Sequence, residues 1–196
     1  MDLITYQKLS AKTEKPMGPA ARLRHARLGV LTELGEFAST AKKILVYGKP
    51  RNDPALVKNM HEELGDFAFY AVIPFNVFDC EAEYLQMAKG GHTGARMDLD
   101  TSIGCLLDMA ARLWRAVDHH DTEPAEAQRD ILMICAHMFG VIYYHVAPEL
   151  GFVFEDLLDA NVAKLQGAQG RYKDGAYSDA QALARADKGG LDSKES

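Results

Sequence analysis

Two similar tetrads lie thirty residues apart in this 196-residue chain, and each carries a pair of carboxylates. The first tetrad, ELGE, contains Glu33 and Glu36, and the second, ELGD, contains Glu63 and Asp66. Within each pair the acids are three residues apart, so on a helix they share one face. Clustered carboxylates repel one another, and a hard cation relieves that repulsion. Oxygen ligands without His or Cys favour Mg²⁺, with Mn²⁺ as a substitute.

One acidic pair alone is weak support for a metal site, because a chain with 28 acidic residues contains about four pairs at this spacing by chance. The first pair alone predicts a solvated helix face, opposite a predicted core stripe of Leu31, Leu34, Ala38, Ala41 and Leu45. The second pair lies on a helix that is apolar on nearly every side, which indicates burial. Buried carboxylates need a partner or a cation, so the second pair favours the metal-site interpretation.

Helical periodicity dominates the chain and strand alternation is nearly absent, so the sequence predicts an all-α helical bundle. We predict helices at roughly 20–47, 54–78, 97–118, 123–146 and 153–167, separated by turns rich in Gly, Pro, Asp and Asn. If the first two helices pack antiparallel, the two acidic pairs converge. We predict a single domain over residues 1–188 and a flexible tail over 189–196.

The composition is that of a soluble globular protein, with 47% hydrophobic and 26% charged residues. A net charge of -6 without a basic stripe argues against nucleic acid as a partner. We expect no window to approach the roughly eighteen apolar residues of a membrane span, and the first residues lack the apolar run of a secretory signal. The three widely spaced cysteines are predicted to be reduced thiols. These features predict a cytoplasmic protein.

Several segments in order resemble the MazG-like branch of the all-α nucleoside triphosphate pyrophosphohydrolases, especially its phage-encoded members. They are ELGE, KKILVYGKP, EELGDFAFY and NVAKLQGAQGRYKDGAYSDAQALARAD, within residues 20–78 and 155–188. The resemblance implies a helical bundle of that type and Mg²⁺-dependent hydrolysis of a nucleoside triphosphate, most simply a deoxynucleotide, to the monophosphate and pyrophosphate. It also implies adjustment of a nucleotide pool in a bacterial or phage-infected host cytoplasm, and a homodimer or tetramer.

The resemblance assigns roles to individual residues. It makes four carboxylates Mg²⁺ ligands: Glu33, Glu36, Glu63 and Asp66. It makes six residues substrate-binding: Lys43, Asn161, Lys164, Arg171, Tyr172 and Arg185, with Asp187 in the same closing segment. Either Glu36 or Glu62, which immediately precedes Glu63, would activate the attacking water. Glu63 would be indispensable for turnover. Gly35 and Gly65 would allow close approach of a helix or of the nucleotide.

The middle of the chain departs from the family pattern, because ninety-five positions separate Asp66 from Asn161. One interpretation is a degenerate internal duplication, with repeat units at about 20–90 and 97–167. Residues 104–116 align with 29–41, which places Asp108 opposite Glu33. The second copy would then lack metal ligands, and a monomer would mimic a family dimer. The alternative is that any two amphipathic helices align this well.

Two functions from different classes remain open on sequence grounds. The first is the pyrophosphohydrolase, acting on dUTP, dCTP, dGTP or another nucleotide. The second is a catalytically weak helical module that binds nucleotides or another protein. The presence of acids at all four motif positions favours the enzyme.

Overall fold

The computed structural model describes residues 1–80, 96–121, 123–167, 170–172 and 174–184. Within these ranges the chain is helical and contains no strand, which confirms the predicted all-α fold. The elements are α1 (Leu3–Thr13), α2 (Pro19–Leu45), α3 (Pro54–Val77), α4 (Leu99–His119), α5 (Pro124–Val141), a π-helical turn (Ile142–Val146), α6 (Ala147–Leu150), α7 (Phe154–Gln166) and α8 (Asp179–Ala184). The predicted tail at 189–196 lies outside the described residues.

Aspartates begin three of these helices. The acceptors and their backbone donors are Asp2 and Thr5 at 2.7 Å, Asp53 and Ala55 at 2.9 Å, and Asp98 and Thr101 at 2.8 Å. Such a cap satisfies one of the unpaired amides in a first turn. The five predicted helices are present with shifts of a few residues, whereas α1, α6 and α8 were not predicted as separate elements.

The helices α2 and α3 pack antiparallel as a hairpin. Near the connecting loop Thr40 contacts Asn59, and farther along α2 the backbone of Gly29 lies against the ring of Tyr70. This arrangement brings the two tetrads face to face across the hairpin. The second long pair, α4 and α5, packs together and against the first pair.

The predicted core stripe of α2 was partly wrong. Leu34 and Ala41 are fully buried, but Leu31 is 43% exposed and Leu45 is 37% exposed. The buried face is centred on Phe37, so it is rotated by roughly 80° from the centre of the predicted stripe at 100° per residue. Because of this rotation, Glu33 borders the core instead of lying opposite to it.

One helical run, Pro124–Leu150, is long and apolar enough to cross a membrane by length and composition. The expectation that no segment would qualify was therefore wrong. Of its most apolar window, 72% is buried inside the protein. A core helix passes the same test, so cytoplasmic localisation and the absence of a membrane partner remain predictions.

The register proposed for an internal duplication does not match the buried faces. It pairs the buried Phe37 with the exposed Arg112. A shift of one residue pairs Phe37 with the buried Leu113 and places Met109 opposite Glu33. The duplication itself stays a hypothesis, since two amphipathic helices can always be brought into phase.

Candidate metal centre and its cleft

Three of the four predicted metal ligands converge in the hairpin. Glu33, Glu36 and Glu63 each offer one carboxylate oxygen, and these oxygens all lie within 4.8 Å of one another. The first two project from one face of α2, and Glu63 reaches them from α3. We call these three residues the carboxylate cluster.

The carboxylate cluster fits a hard divalent cation. Oxygens on opposite sides of an Mg²⁺ ion lie about 4.2 Å apart, and the three cluster oxygens lie within 4.8 Å of one another. All three donors are carboxylates, the ligand type that Mg²⁺ and Mn²⁺ accept. Glu63 is only 8% exposed, so its charge has little access to water.

Crowding and burial disfavour full ionisation of the cluster. Burial, together with the negative charges of Asp66, Glu36 and Glu63, raises the pKa of Glu33 to about 7. Burial and the neighbouring charge of Glu36 also raise the pKa of Glu63. Protonation or a bound cation relieves the same repulsion, so the two compete for this site.

A hydrogen-bonded pair that the sequence did not reveal holds Glu63. The amide nitrogen of Asn59 donates to Glu63 Oε1 at 2.8 Å, and the hydroxyl of Thr40 donates to the amide oxygen of Asn59. Because the hydroxyl fixes the amide oxygen, the amide nitrogen is directed at Glu63. The detectable signal was the spacing of Asn59, one helical turn before Glu63.

The fourth predicted ligand, Asp66, is bound by two residues of α7. Asn161 Nδ2 donates to Asp66 Oδ1 at 2.9 Å, and Lys164 Nζ donates to Oδ2 at 2.5 Å. The hydroxyl of Tyr6, fully buried in α1, donates to Asn161 Oδ1 at 2.8 Å. The predicted substrate-binding residues Asn161 and Lys164 thus contact a carboxylate in this structure.

The two acids proposed to activate water lie in different places. Lys164 Nζ is 2.9 Å from Glu62 Oε1, and both residues line a small cleft of about 250 Å³ between α3 and α7. Glu36 lines the cleft that contains the carboxylate cluster. Lys43 is exposed on α2, two turns beyond Glu36, and is not among the residues that line either cleft.

We call the cavity beside the carboxylate cluster the main cleft; its volume is about 460 Å³. Arg171 and Tyr172 line it together with the cluster and Asp66. Their backbone amides bond to the carbonyls of Lys164 and Leu165 at 2.9 and 2.8 Å, which folds the chain back along α7.

The main cleft also contains residues that the sequence did not nominate: Thr13, Lys15, His25, Phe69, Tyr70, Leu165, Tyr177 and Ala182. His25 had a detectable signal, since it precedes Glu33 by eight residues and therefore shares its helix face. Lys15 and Tyr177 had no such signal in the sequence, because they reach the cleft from chain segments that are far apart in sequence. Arg185 and Asp187 lie outside the described residues.

Comparisons with protein-family models, curated proteins and solved structures found no match. The resemblance to the MazG-like pyrophosphohydrolases therefore stays a prediction, and so do the roles that it assigns.

Proposed function

We propose that this protein is a Mg²⁺-dependent pyrophosphohydrolase that cleaves a nucleoside triphosphate, most simply a deoxynucleotide, to the monophosphate and pyrophosphate. The observation that supports this proposal is the composition of the main cleft. One cavity joins the carboxylate cluster with the cationic side chain of Arg171, and Lys15, which pairs with Asp179 at 3.1 Å, also lines it. A polyphosphate bound through a cation requires both kinds of group.

The size of the main cleft supports a small-molecule substrate. Its volume of about 460 Å³ falls in the range of ligand pockets, about 300 to 1,000 Å³. Five aromatic side chains accompany the charged residues: His25, Phe69, Tyr70, Tyr172 and Tyr177. Charged and aromatic groups in one cavity suit a ligand that has both phosphates and a planar ring.

Each residue has a role that follows from its contacts. Glu33, Glu36 and Glu63 would hold the cation, and Asn59 orients Glu63. When bound, Mg²⁺ would stabilise negative charge on the entering and leaving oxygens. Arg171, which lines the same cleft, would neutralise phosphate oxygens. Glu36 is the exposed member of the cluster, so it is best placed to orient or deprotonate a water molecule.

The test is product analysis with a panel of nucleotides. The protein is incubated with each common and modified (d)NTP in Mg²⁺ or in EDTA, and the phosphorus products are identified by ³¹P NMR. We expect pyrophosphate and the nucleoside monophosphate from at least one nucleotide in Mg²⁺ only. Failure to release pyrophosphate from any of them, at every Mg²⁺ concentration, would overturn the proposal. Nucleotide binding without cleavage would favour the catalytically weak binding module.

A further inference from the structure

The main cleft follows the length of α2. His25, Gly29 and Glu33 recur every four residues on one helix face, and His25 and Glu33 both line the cleft. At a rise of 1.5 Å per residue, His25 lies about 12 Å along the helix from Glu33. The carboxylate cluster thus occupies one end of the cleft, and we call the other end the His25 end.

Tyr70 lies between these ends, in a notch left by a glycine. A Cβ atom at Gly29 would lie 2.1 Å from the ring of Tyr70, so any other residue would displace that ring. The ring of Tyr70 meets His25 edge to face, with centroids 5.2 Å apart. The rings of Tyr172 and Tyr177, 5.5 Å apart, line the same cleft from the C-terminal segment. Aromatic side chains from two parts of the chain therefore line the same cleft as His25.

The surroundings of His25 indicate which ring nitrogen carries the proton. Its Nδ1 is buried and has no hydrogen-bond partner among the described residues. Its Nε2 is not among the buried atoms that lack a partner. Burial lowers the pKa of His25, which favours the neutral imidazole. An N–H group that is buried without an acceptor is costly. The proton is therefore more stable on Nε2, where a ligand or water can accept it.

We propose that the His25 end binds the nucleobase, with the base packed among these aromatic rings and His25 Nε2–H donating to an acceptor atom on the base edge. This inference rests on the proposed function for the position of the phosphates at the carboxylate cluster. Every common base has a carbonyl oxygen or an unprotonated ring nitrogen, so selection among bases would depend on where that acceptor lies on the base edge. Aromatic side chains stack on all bases, so the hydrogen bond supplies the selective part of the contact.

The test compares binding of two ligands that differ only in the base. One is the α,β-methylene analogue of the deoxynucleotide that binds best among the four common ones, and the other is the matching deoxyribose triphosphate analogue without a base. Both are titrated calorimetrically, in Mg²⁺, into the wild-type protein, His25→Phe and His25→Gln. His137→Phe, at an exposed position of α5, is the matched control.

We expect His25→Phe to weaken binding of the complete nucleotide by about threefold to tenfold, the range for one lost hydrogen bond. Binding of the base-free analogue should be unchanged, and His25→Gln, which keeps a donor, should recover part of the loss. An equal loss for both ligands would show a structural role and overturn the inference.

These titrations, together with the assay of pyrophosphate release, separate this inference from the proposed function. A loss in His25→Phe confined to the complete nucleotide, in a protein that cleaves none of the unmodified nucleotides, would support the inference and overturn the enzyme. If the protein releases pyrophosphate but the affinity gained from the base is the same in the wild type and in His25→Phe, the enzyme would be supported and the inference overturned. Failure of both ligands to bind the wild-type protein would overturn the inference.

Discussion

At the scale of single residues, Glu33 is the group most perturbed by its neighbours within the carboxylate cluster. Its ordinary pKa of 4.5 is raised to about 7 by burial and by the charges of Asp66, Glu36 and Glu63. The folded protein therefore binds a proton over this pH range that the unfolded chain has released. By linkage, folding is disfavoured as the pH rises through that window when no cation is present.

This linkage predicts how stability depends on pH. In EDTA, the free energy of unfolding should fall as the pH rises from about 4.5 to about 7, because the ionised Glu33 is less stable in the folded protein than in the unfolded chain. Glu33→Gln removes the titrating group and should flatten the decline. Urea unfolding at pH 5 and pH 7.5 measures it, with Glu126→Gln, at an exposed acid of α5, as control. Identical declines in all three proteins would contradict the prediction.

The amide of Asn59 should tune cation affinity without touching the cation. Asn59→Leu removes the donor to Glu63 Oε1, so Glu63 loses its fixed orientation. We expect Mn²⁺ affinity, measured by electron paramagnetic resonance, to fall by about tenfold or more, as for other residues that orient metal ligands. The control is Asn76→Leu on the same helix, because the amide nitrogen of Asn76 has no partner among the described residues. Equal affinities for the two variants would exclude the orienting role.

At the scale of the helices, the two tetrad glycines have different surroundings. A Cβ atom at Gly65 would lie 3.2 Å from the Cβ of Asn161, so this glycine lets α7 approach α3 closely. At Gly35 none of the described atoms lies within 4 Å of the corresponding position. Close approach of a helix is thus confirmed for Gly65, whereas no described helix approaches Gly35 and approach of the nucleotide there stays a prediction.

Alanine substitution should therefore have different effects on stability in the two tetrads. Gly35→Ala should raise the free energy of unfolding by about 0.5–1 kcal/mol, because alanine favours the helix and nothing described opposes its Cβ. Gly65→Ala should lose this gain, since Asn161 is held by Tyr6 and Asp66 and cannot easily move. Denaturant unfolding of both variants provides the comparison. A stabilised Gly65→Ala, equal to Gly35→Ala, would show that the helices can separate.

Local patterns were sufficient to predict the long helices but not the short ones. The five predicted segments have strong periodicity and polar turns, whereas α1 is mostly polar. Tyr6 of α1 is fully buried and donates a hydrogen bond to Asn161, 155 residues away, and no local pattern encodes that contact. The phase of α2 was misjudged because Phe37 was left out of the predicted stripe.

The candidate site was also predictable only in part. The acidic pairs could be found from spacing, because helix geometry alone places each pair on one face. The contacts that orient them, from Asn59 to Glu63 and from Lys164 to Asp66, depend on how side chains meet between helices or along a turn. Of the two donor residues, only Lys164 was predicted to belong to the site, and its predicted role was to bind phosphate.

At the scale of the whole molecule, the two ends of the described chain meet beside the main cleft. The amide of Gln166 donates to the carbonyl of Leu9 at 2.6 Å, and the backbone of Tyr177 donates to that of Lys12 at 3.0 Å. The N-terminal helix and the segment after α7 therefore complete the cavity that α2 and α3 begin. Binding in this cavity should couple to global stability.

We predict that Mg²⁺ raises the melting temperature, because a ligand that binds only the folded state stabilises it. At a concentration of about 100 times Kd the gain is about 2.7 kcal/mol, or roughly 5–10 °C for a chain of this size. The shift should be larger at pH 8 than at pH 5, where protons occupy the cluster. Differential scanning calorimetry of the wild type and Glu36→Gln measures it. A shift of the same size in Glu36→Gln would place the ion elsewhere.

The most direct test of the account compares two adjacent glutamates in one assay of pyrophosphate release. Glu63 belongs to the carboxylate cluster, whereas Glu62 pairs with Lys164 in the neighbouring cleft. With the best nucleotide in Mg²⁺, we predict that Glu63→Gln abolishes release with the helical content unchanged, and that Glu62→Gln retains most of the activity. Full activity in Glu63→Gln, or loss of activity in Glu62→Gln alone, would contradict the placement of the metal centre.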